Sequence, residues 1–302
     1  MPRGAGGRRI ALVAFLLLAA RSASGADADA IARGAYLAEA AGCDRCHTDS
    51  ERGGQAYAGG RELATAFGII ATPNLTPDRA TGIGRWSAAD FTRAMRWGVA
   101  PDDSHYIPVF PFPFYNRLTT RDLSDLKAFL DSLPAVSRPG LPGTGSTALV
   151  ARARAAIAVV ATPLPGPWQP DPDKDPVWNR GAYLVHSLGR CGDCHTPRTL
   201  LGAPDPDRFL AGAPPGPGAI HDRKAEGKKA PNITPDRKAG IGNWSEGDIV
   251  RVLTEGQTPE FDEVGGAMAE IVKNTARLSE GDRRAIAVFL ASVPAVSSPE
   301  QK

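Results

Sequence analysis

The chain states nearly the same sequence twice, and this constrains its fold more than any other feature. RGAYL occurs at 33–37 and again at 180–184. GCDRCHT (42–48) is answered by RCGDCHT (190–196), TPNLTPDRATGIGRWSAADF (72–91) by APNITPDRKAGIGNWSEGDI (230–249), and LKAFLDSLPAVS (126–137) by IAVFLASVPAVS (286–297). The order is kept while the separation grows from 147 to 160 residues, so only loops change length, chiefly through a Pro-rich insertion around 197–218. A repeat of this kind predicts two similar units, 27–138 and 177–298, with a linker over 139–176 and a short tail at 299–302.

Each unit has a helical outline. RGAYL and its continuation put apolar and small residues at helical spacing just before the cysteines. Ser87 to Gly98 and Ser245 to Gly256 each begin on a helix-capping residue and end on glycine. TTRDLSDLKAFLDSL and SEGDRRAIAVFLASV form closing helices, each followed by proline. Met95 falls inside a helix as a core residue. No run of alternating β-branched residues announces a sizeable sheet, so the expected class is all-α. Glycine and proline together make up about a fifth of the 302 residues, which predicts long loops between the helices.

Four arginines (Arg3, Arg8, Arg9, Arg21) precede or flank an apolar run of eleven, IALVAFLLLAA, with small residues after it. This reads as a secretory signal peptide over 1–26, cleaved after Ala26. Eleven apolar residues fall short of the roughly 20 that span a bilayer. Without those arginines 31 basic residues face 33 acidic ones, so the formal +2 of the whole chain becomes −2. A nucleic-acid partner loses its electrostatic footing. In the linker, TALVARARAAIAVVA (147–161) is interrupted by Arg152 and Arg154 and reads as a packed helix. His186 and His221 lack counterparts in the first unit and read as surface residues.

All four cysteines lie in two C-x-x-C-H motifs, Cys43–Cys46–His47 and Cys191–Cys194–His195. This is the attachment signature of c-type haem. The two thiols add across the haem vinyl groups as thioethers, and the adjacent histidine is held under the iron. A thioredoxin-like pair would need no histidine and would sit in a βαβ setting. One zinc site with four cysteine ligands would have to join motifs nearly 150 residues apart and would leave both histidines idle. Two disulfides, one within each motif, would suit an exported chain but would serve little use.

With these motifs, the repeated RGAYL, the PNLTPD/PNITPD and GIGRWS/GIGNWS loops, and the closing LTTRDLSDLKAFLDSLPAV, the whole chain resembles a tandem class I cytochrome c. It is similar to the cytochrome c subunits that take electrons from periplasmic alcohol and aldehyde dehydrogenases. The resemblance implies helices wrapped round two covalently bound haems c, one per unit, with His47 and His195 as proximal ligands. It implies that Pro73 and Pro231 offer carbonyls to those histidines, that Asn74, Trp86, Asn232 and Trp244 meet the haem propionates, and that Met268 is the distal ligand of the second haem. In the first unit Phe110 stands where Met268 stands in the second. His105 is then one candidate sixth ligand; an open iron site, or ligation by Tyr106 or Met95, are the others. The expected function is periplasmic electron transfer from a dehydrogenase to a cytochrome or oxidase, with membrane association only through a partner. The alternative is a haem enzyme, a peroxidase or a thiol- or thiosulfate-oxidising protein, working at the methionine-less first haem.

Overall fold

The computed structural model describes residues 27–65, 68–106, 109–139, 164–199, 203–214 and 229–297. The signal-peptide segment, the apolar linker run at 147–161, His221 and the tail lie outside the described residues. The N-terminal half runs α1 (27–41), α2 (Cys43–His47), β1 (Glu62–Thr65), β2 (Gly68–Ala71), α3 (Ala88–Trp97), α4 (Phe112–Tyr115) and α5 (Thr120–Ser132). The C-terminal half runs α6 (Pro176–His186), α7 (Cys191–His195), α8 (Glu246–Glu255), α9 (Ala267–Thr275) and α10 (Glu280–Ser292). The strands form one antiparallel hairpin with Glu62 opposite Ala71 and Thr65 opposite Gly68. The sequence pattern did not announce it: ELAT and GIIA are too short to alternate visibly. The hairpin has no counterpart among the described residues of the C-terminal half.

The helix signals act locally as the chemistry requires. Ser87 accepts from the Asp90 backbone N–H while the Asp90 carboxylate accepts from Ser87 N–H, and Ser245 with Asp248 repeats this reciprocal cap. Losing such a cap costs about 1 kcal/mol. Both helices stop at a left-handed glycine, Gly98 (φ 64°) and Gly256 (φ 76°). They turn Phe91 and Met95, or Ile249 and Leu253, into the core. The closing helices α5 and α10 end at Leu133 and Val293, both extended because a proline follows.

The segment after each closing helix is then tied back to the loop that follows the haem motif. Thr76 N–H and Oγ1 donate to Asn74 Oδ1, Val136 N–H donates to Thr76 Oγ1 (3.2 Å), and Asn74 Nδ2 donates to the Val136 carbonyl (2.8 Å). Thr234, Asn232 and Val296 make the same knot. Asn74, Thr76, Asn232 and Thr234 are all buried, so these bonds also satisfy polar groups that water cannot reach. This knot explains why PAVS recurs after each closing helix.

RGAYL owes its recurrence to a helix crossing. A Cβ on Gly34 would stand 1.9 Å from the Asp125 carbonyl oxygen, and one on Gly181 would stand 1.9 Å from that of Ala285. Only glycine lets α1 cross α5, and α6 cross α10, at that distance. The preceding arginine fastens each crossing: Arg33 Nε to Asp125 (2.7 Å) and Arg180 to both oxygens of Asp282 (2.7 and 2.6 Å).

The tyrosine of the motif reaches the other half. Tyr36 donates to Asp282 (2.6 Å) and accepts from the Ser279 N–H (3.0 Å), closing the start of α10. Tyr183 donates to Asp122 and accepts from the Thr119 N–H (3.4 Å), closing the start of α5. The contact is reciprocal, as in a two-fold dimer, but both partners lie on one chain. Burial opposes ionisation of Asp282, yet the bonds from Arg180 and Tyr36 hold its carboxyl below the ordinary range. Among the described residues no helix is long and apolar enough to cross a membrane.

Candidate functional site

Each Cys-x-x-Cys-His segment is a single helical turn entered through a left-handed residue, Gly42 (φ 65°) before α2 and Arg190 (φ 49°) before α7. One turn places both cysteines and the histidine on adjoining faces. None of the four cysteines is paired in a disulfide. Burial pushes Cys43 and Cys191 up to about 12. A redox-active dithiol has the opposite tuning, with one thiol lowered. Among the described residues no three His, Cys, Asp or Glu side chains converge to hold a metal ion.

The histidines are held from one side. His47 Nδ1 lies 2.9 Å from the Pro73 carbonyl and His195 Nδ1 lies 2.8 Å from that of Pro231. A carbonyl only accepts, so Nδ1 carries the proton and the Nε2 lone pair stays free for a metal. Burial lowers both imidazoles and keeps them neutral, with the proline carbonyl opposing part of that effect. The cradle is closed by backbone: Gly59 N–H donates to the His47 carbonyl and Gly212 N–H to that of His195, each at 2.8 Å. Gly59 (φ 71°) could carry no side chain, because its Cβ would meet Pro73 at 2.5 Å; Gly212 (φ 82°) stands likewise against Pro231 and Asn232. These two glycines were not singled out in the sequence, although each sits in an AGG or AGA triplet before the PN loop. Two cysteines on one turn, the first of them packed against the core, and a neutral imidazole with one free nitrogen form a donor set that fits a covalently held haem.

The other expected site residues divide. Trp86 and Trp244 are half-buried against the core at matching places, the backbone N–H of each donating to the carbonyl of the isoleucine three residues before it. Asn74 differs from the expectation of a propionate partner. Its two amide protons go to Thr81 and Val136, and its oxygen takes both bonds from Thr76. No donor is left over, so its work is to hold the loop. Asn232 spends its side chain on the same knot. Met268 is half-buried at the second position of α9. Phe110 is half-buried between Tyr106 (5.5 Å) and Tyr115 (5.7 Å). His105 is exposed, its backbone paired with Val99, and Met95 is buried in α3.

His186 is not the free surface residue expected; it is half-buried in an aromatic stack. Its ring stacks on Phe209 (4.5 Å, 8°) and on Trp168 (5.7 Å, 25°), with Phe289 edge-on. Phe209 in turn covers Gly192, inside the second haem motif. Helical periodicity alone gave no signal, because Trp168 comes from the linker and Phe209 from a loop. Burial, with the charge of Arg117, lowers His186 from 6.5 to about 4. The imidazole is therefore neutral in the fold but takes a proton in the unfolded chain as pH drops below 6.5. Stability is full above that value and falls between pH 6.5 and 4, by at most about 3 kcal/mol from this group. Thermal unfolding of the wild type and of His186→Phe across pH 4–7 checks this. The variant should lose less stability on acidification, and parallel curves would refute the assignment.

The family model described as cytochrome c matches residues 31–134. A diheme cytochrome c-type protein of Cereibacter sphaeroides is 42% identical over 269 residues, covering 87% of this chain and 86% of its own length. The fructose dehydrogenase cytochrome subunit of Gluconobacter japonicus and the alcohol dehydrogenase (quinone) cytochrome c subunit of Gluconacetobacter polyoxogenes are each 36% identical, across 90% and 94% of this chain. Of those two subunits the chain spans 54% and 60%. A likeness that runs through both halves, and nearly end to end in the first of these relatives, carries more than the motifs alone: the chain belongs to the cytochrome c family.

Proposed function

We propose that the protein is an exported, periplasmic dihaem electron carrier, built as two tandem class I cytochrome c domains at 27–138 and 177–298. It takes electrons from a dehydrogenase and gives them to a cytochrome or oxidase. The observation that carries this reading is that one cradle occurs twice: two cysteines on one helical turn, a histidine oriented by a proline carbonyl, and a glycine locking the turn, in both halves. The relatives in dehydrogenase complexes support a dehydrogenase as donor, and any membrane association then comes through that partner. The relatives are electron-transfer subunits rather than the catalytic members of their complexes, and this chain is of the same kind.

The residues have distinct parts. Cys43 and Cys46, and Cys191 and Cys194, anchor the group by thioether bonds, while His47 and His195 supply the proximal nitrogen. Pro73 and Pro231 fix the rings so that Nε2 faces the metal and the imidazole stays basic. A haem held there supplies a one-electron Fe(III)/Fe(II) couple. Met268 offers a thioether on the distal side of the second site, a ligand that raises the potential. Trp86 and Trp244, with indole N–H groups on flat apolar bodies, are the partners for propionates. The protein's share in the chemistry is orientation, exclusion of water and electrostatics.

Phe110 favours a second reading of the N-terminal site alone. A phenyl ring cannot ligate, and His105, the nearest nitrogen donor in the sequence, is exposed. An open position there would take small ligands. The experiment is a haem count after denaturation, then a spectroelectrochemical titration and carbon monoxide binding on the full chain. Two covalent haems and two separate one-electron steps support the carrier; fast carbon monoxide uptake by one haem, together with peroxide turnover, would move the N-terminal site to catalysis.

A further inference from the structure

The left-handed caps of the two haem motifs both lie at the seam between the halves, and they are filled differently. Gly42 lies against Asn274 of the C-terminal half, where a Cβ would stand 2.2 Å from Asn274 Nδ2. The matching cap is Arg190, at φ 49°. A non-glycine residue there is strained, at a place where glycine would serve the turn better.

Its side chain does not relieve that strain locally. The guanidinium reaches over Tyr115 of the N-terminal half, 5.9 Å from the ring centroid. The side chain is only 17% exposed, and Nε is buried without a hydrogen-bond partner. Its carboxylate neighbour, Asp193, stands 3.7 Å away and is already held by Arg198. Arg190 directly precedes Cys191, and its charge opposes the burial that pushes both Cys43 and Cys191 up. One cation, largely out of water, therefore caps the second anchoring motif and rests on Tyr115 of the half that carries the first.

We propose that the Arg190 guanidinium, lodged against Tyr115 between the two Cys-x-x-Cys-His turns, is a shared electrostatic element that raises the reduction potential of both sites. It rests on the dihaem reading above. Reduction adds one electron and removes one positive charge from a site, so a fixed cation in a partly desolvated seam favours the reduced form. A cation serving two sites moves both potentials in the same direction, which a residue buried within one half would not do.

The test compares Arg190→Gly, Arg190→Lys and wild type as full-length, haem-loaded proteins. Arg190→Gly installs the residue that the other cap uses and relieves the backbone, so its thermal midpoint should not fall. Spectroelectrochemical titration should show both midpoints lowered in Arg190→Gly and kept near wild type in Arg190→Lys. Wild-type midpoints in Arg190→Gly would overturn the proposal, as would midpoints in Arg190→Lys as low as those of the glycine variant. Should Arg190→Gly take up fewer than two haems, Arg190→Gln is judged by the same criteria. A wild-type chain carrying fewer than two covalent haems would defeat the dihaem reading instead, so the two failures are distinguishable.

Discussion

Replacing Cys191 and Cys194 together by alanine leaves a chain with one covalent haem instead of two. Haem staining after denaturation should halve, and the mass should fall by one haem. The effect on the fold is as large. The C-terminal helices α6, α8, α9 and α10 are joined by loops rich in glycine and proline, so on the dihaem reading a haem would fill much of the space between them. A domain's net stability is only about 5–15 kcal/mol, too little to survive the loss of such a core element. The variant should therefore lose the helicity of that half in circular dichroism. It should also loosen the other half, whose α5 start is closed by Tyr183. Two covalent haems retained by this variant would sink the assignment of the motif.

Substituting leucine for Met268 should change the redox behaviour more than any other replacement outside the anchoring motifs. Leucine keeps the volume at the start of α9 but has no sulfur lone pair. Axial ligation governs a span of about 0.8 V among haem proteins, and loss of a thioether ligand should shift the higher midpoint down by a sizeable part of it. The reduced variant should also bind carbon monoxide at the vacated position. Unchanged midpoints, with no new carbon monoxide binding, would show that Met268 is only a packing residue in α9.

The sequence made some parts of the molecule plain because they depend on neighbours along the chain. The capped helices α3 and α8 begin at Ser87 and Ser245 and end at Gly98 and Gly256, where the capping residues stand. The turns Cys43–His47 and Cys191–His195 follow directly from the motif spacing. Other parts depend on residues that meet only after folding. Tyr36 finds Asp282 across 246 residues, and nothing in RGAYL says that its tyrosine belongs to the opposite half. The recurrence of both residues, Tyr36 with Tyr183 and Asp122 with Asp282, was the available signal. Asn74 came to the propionates only through the family resemblance, and nothing in PNLTPD says that Thr76, Thr81 and Val136 take up its side chain. His186 misled because its stacking partners come from the linker and a distant loop.

The reciprocal tyrosine contacts bear on the order in which the protein is completed. Synthesis delivers the N-terminus first. When residues 27–138 have emerged, Tyr36 has neither Asp282 nor Ser279 to bind, and Gly42 lacks the Asn274 that closes its cap. The first half must wait for the last helix of the second before its own first helix is fastened.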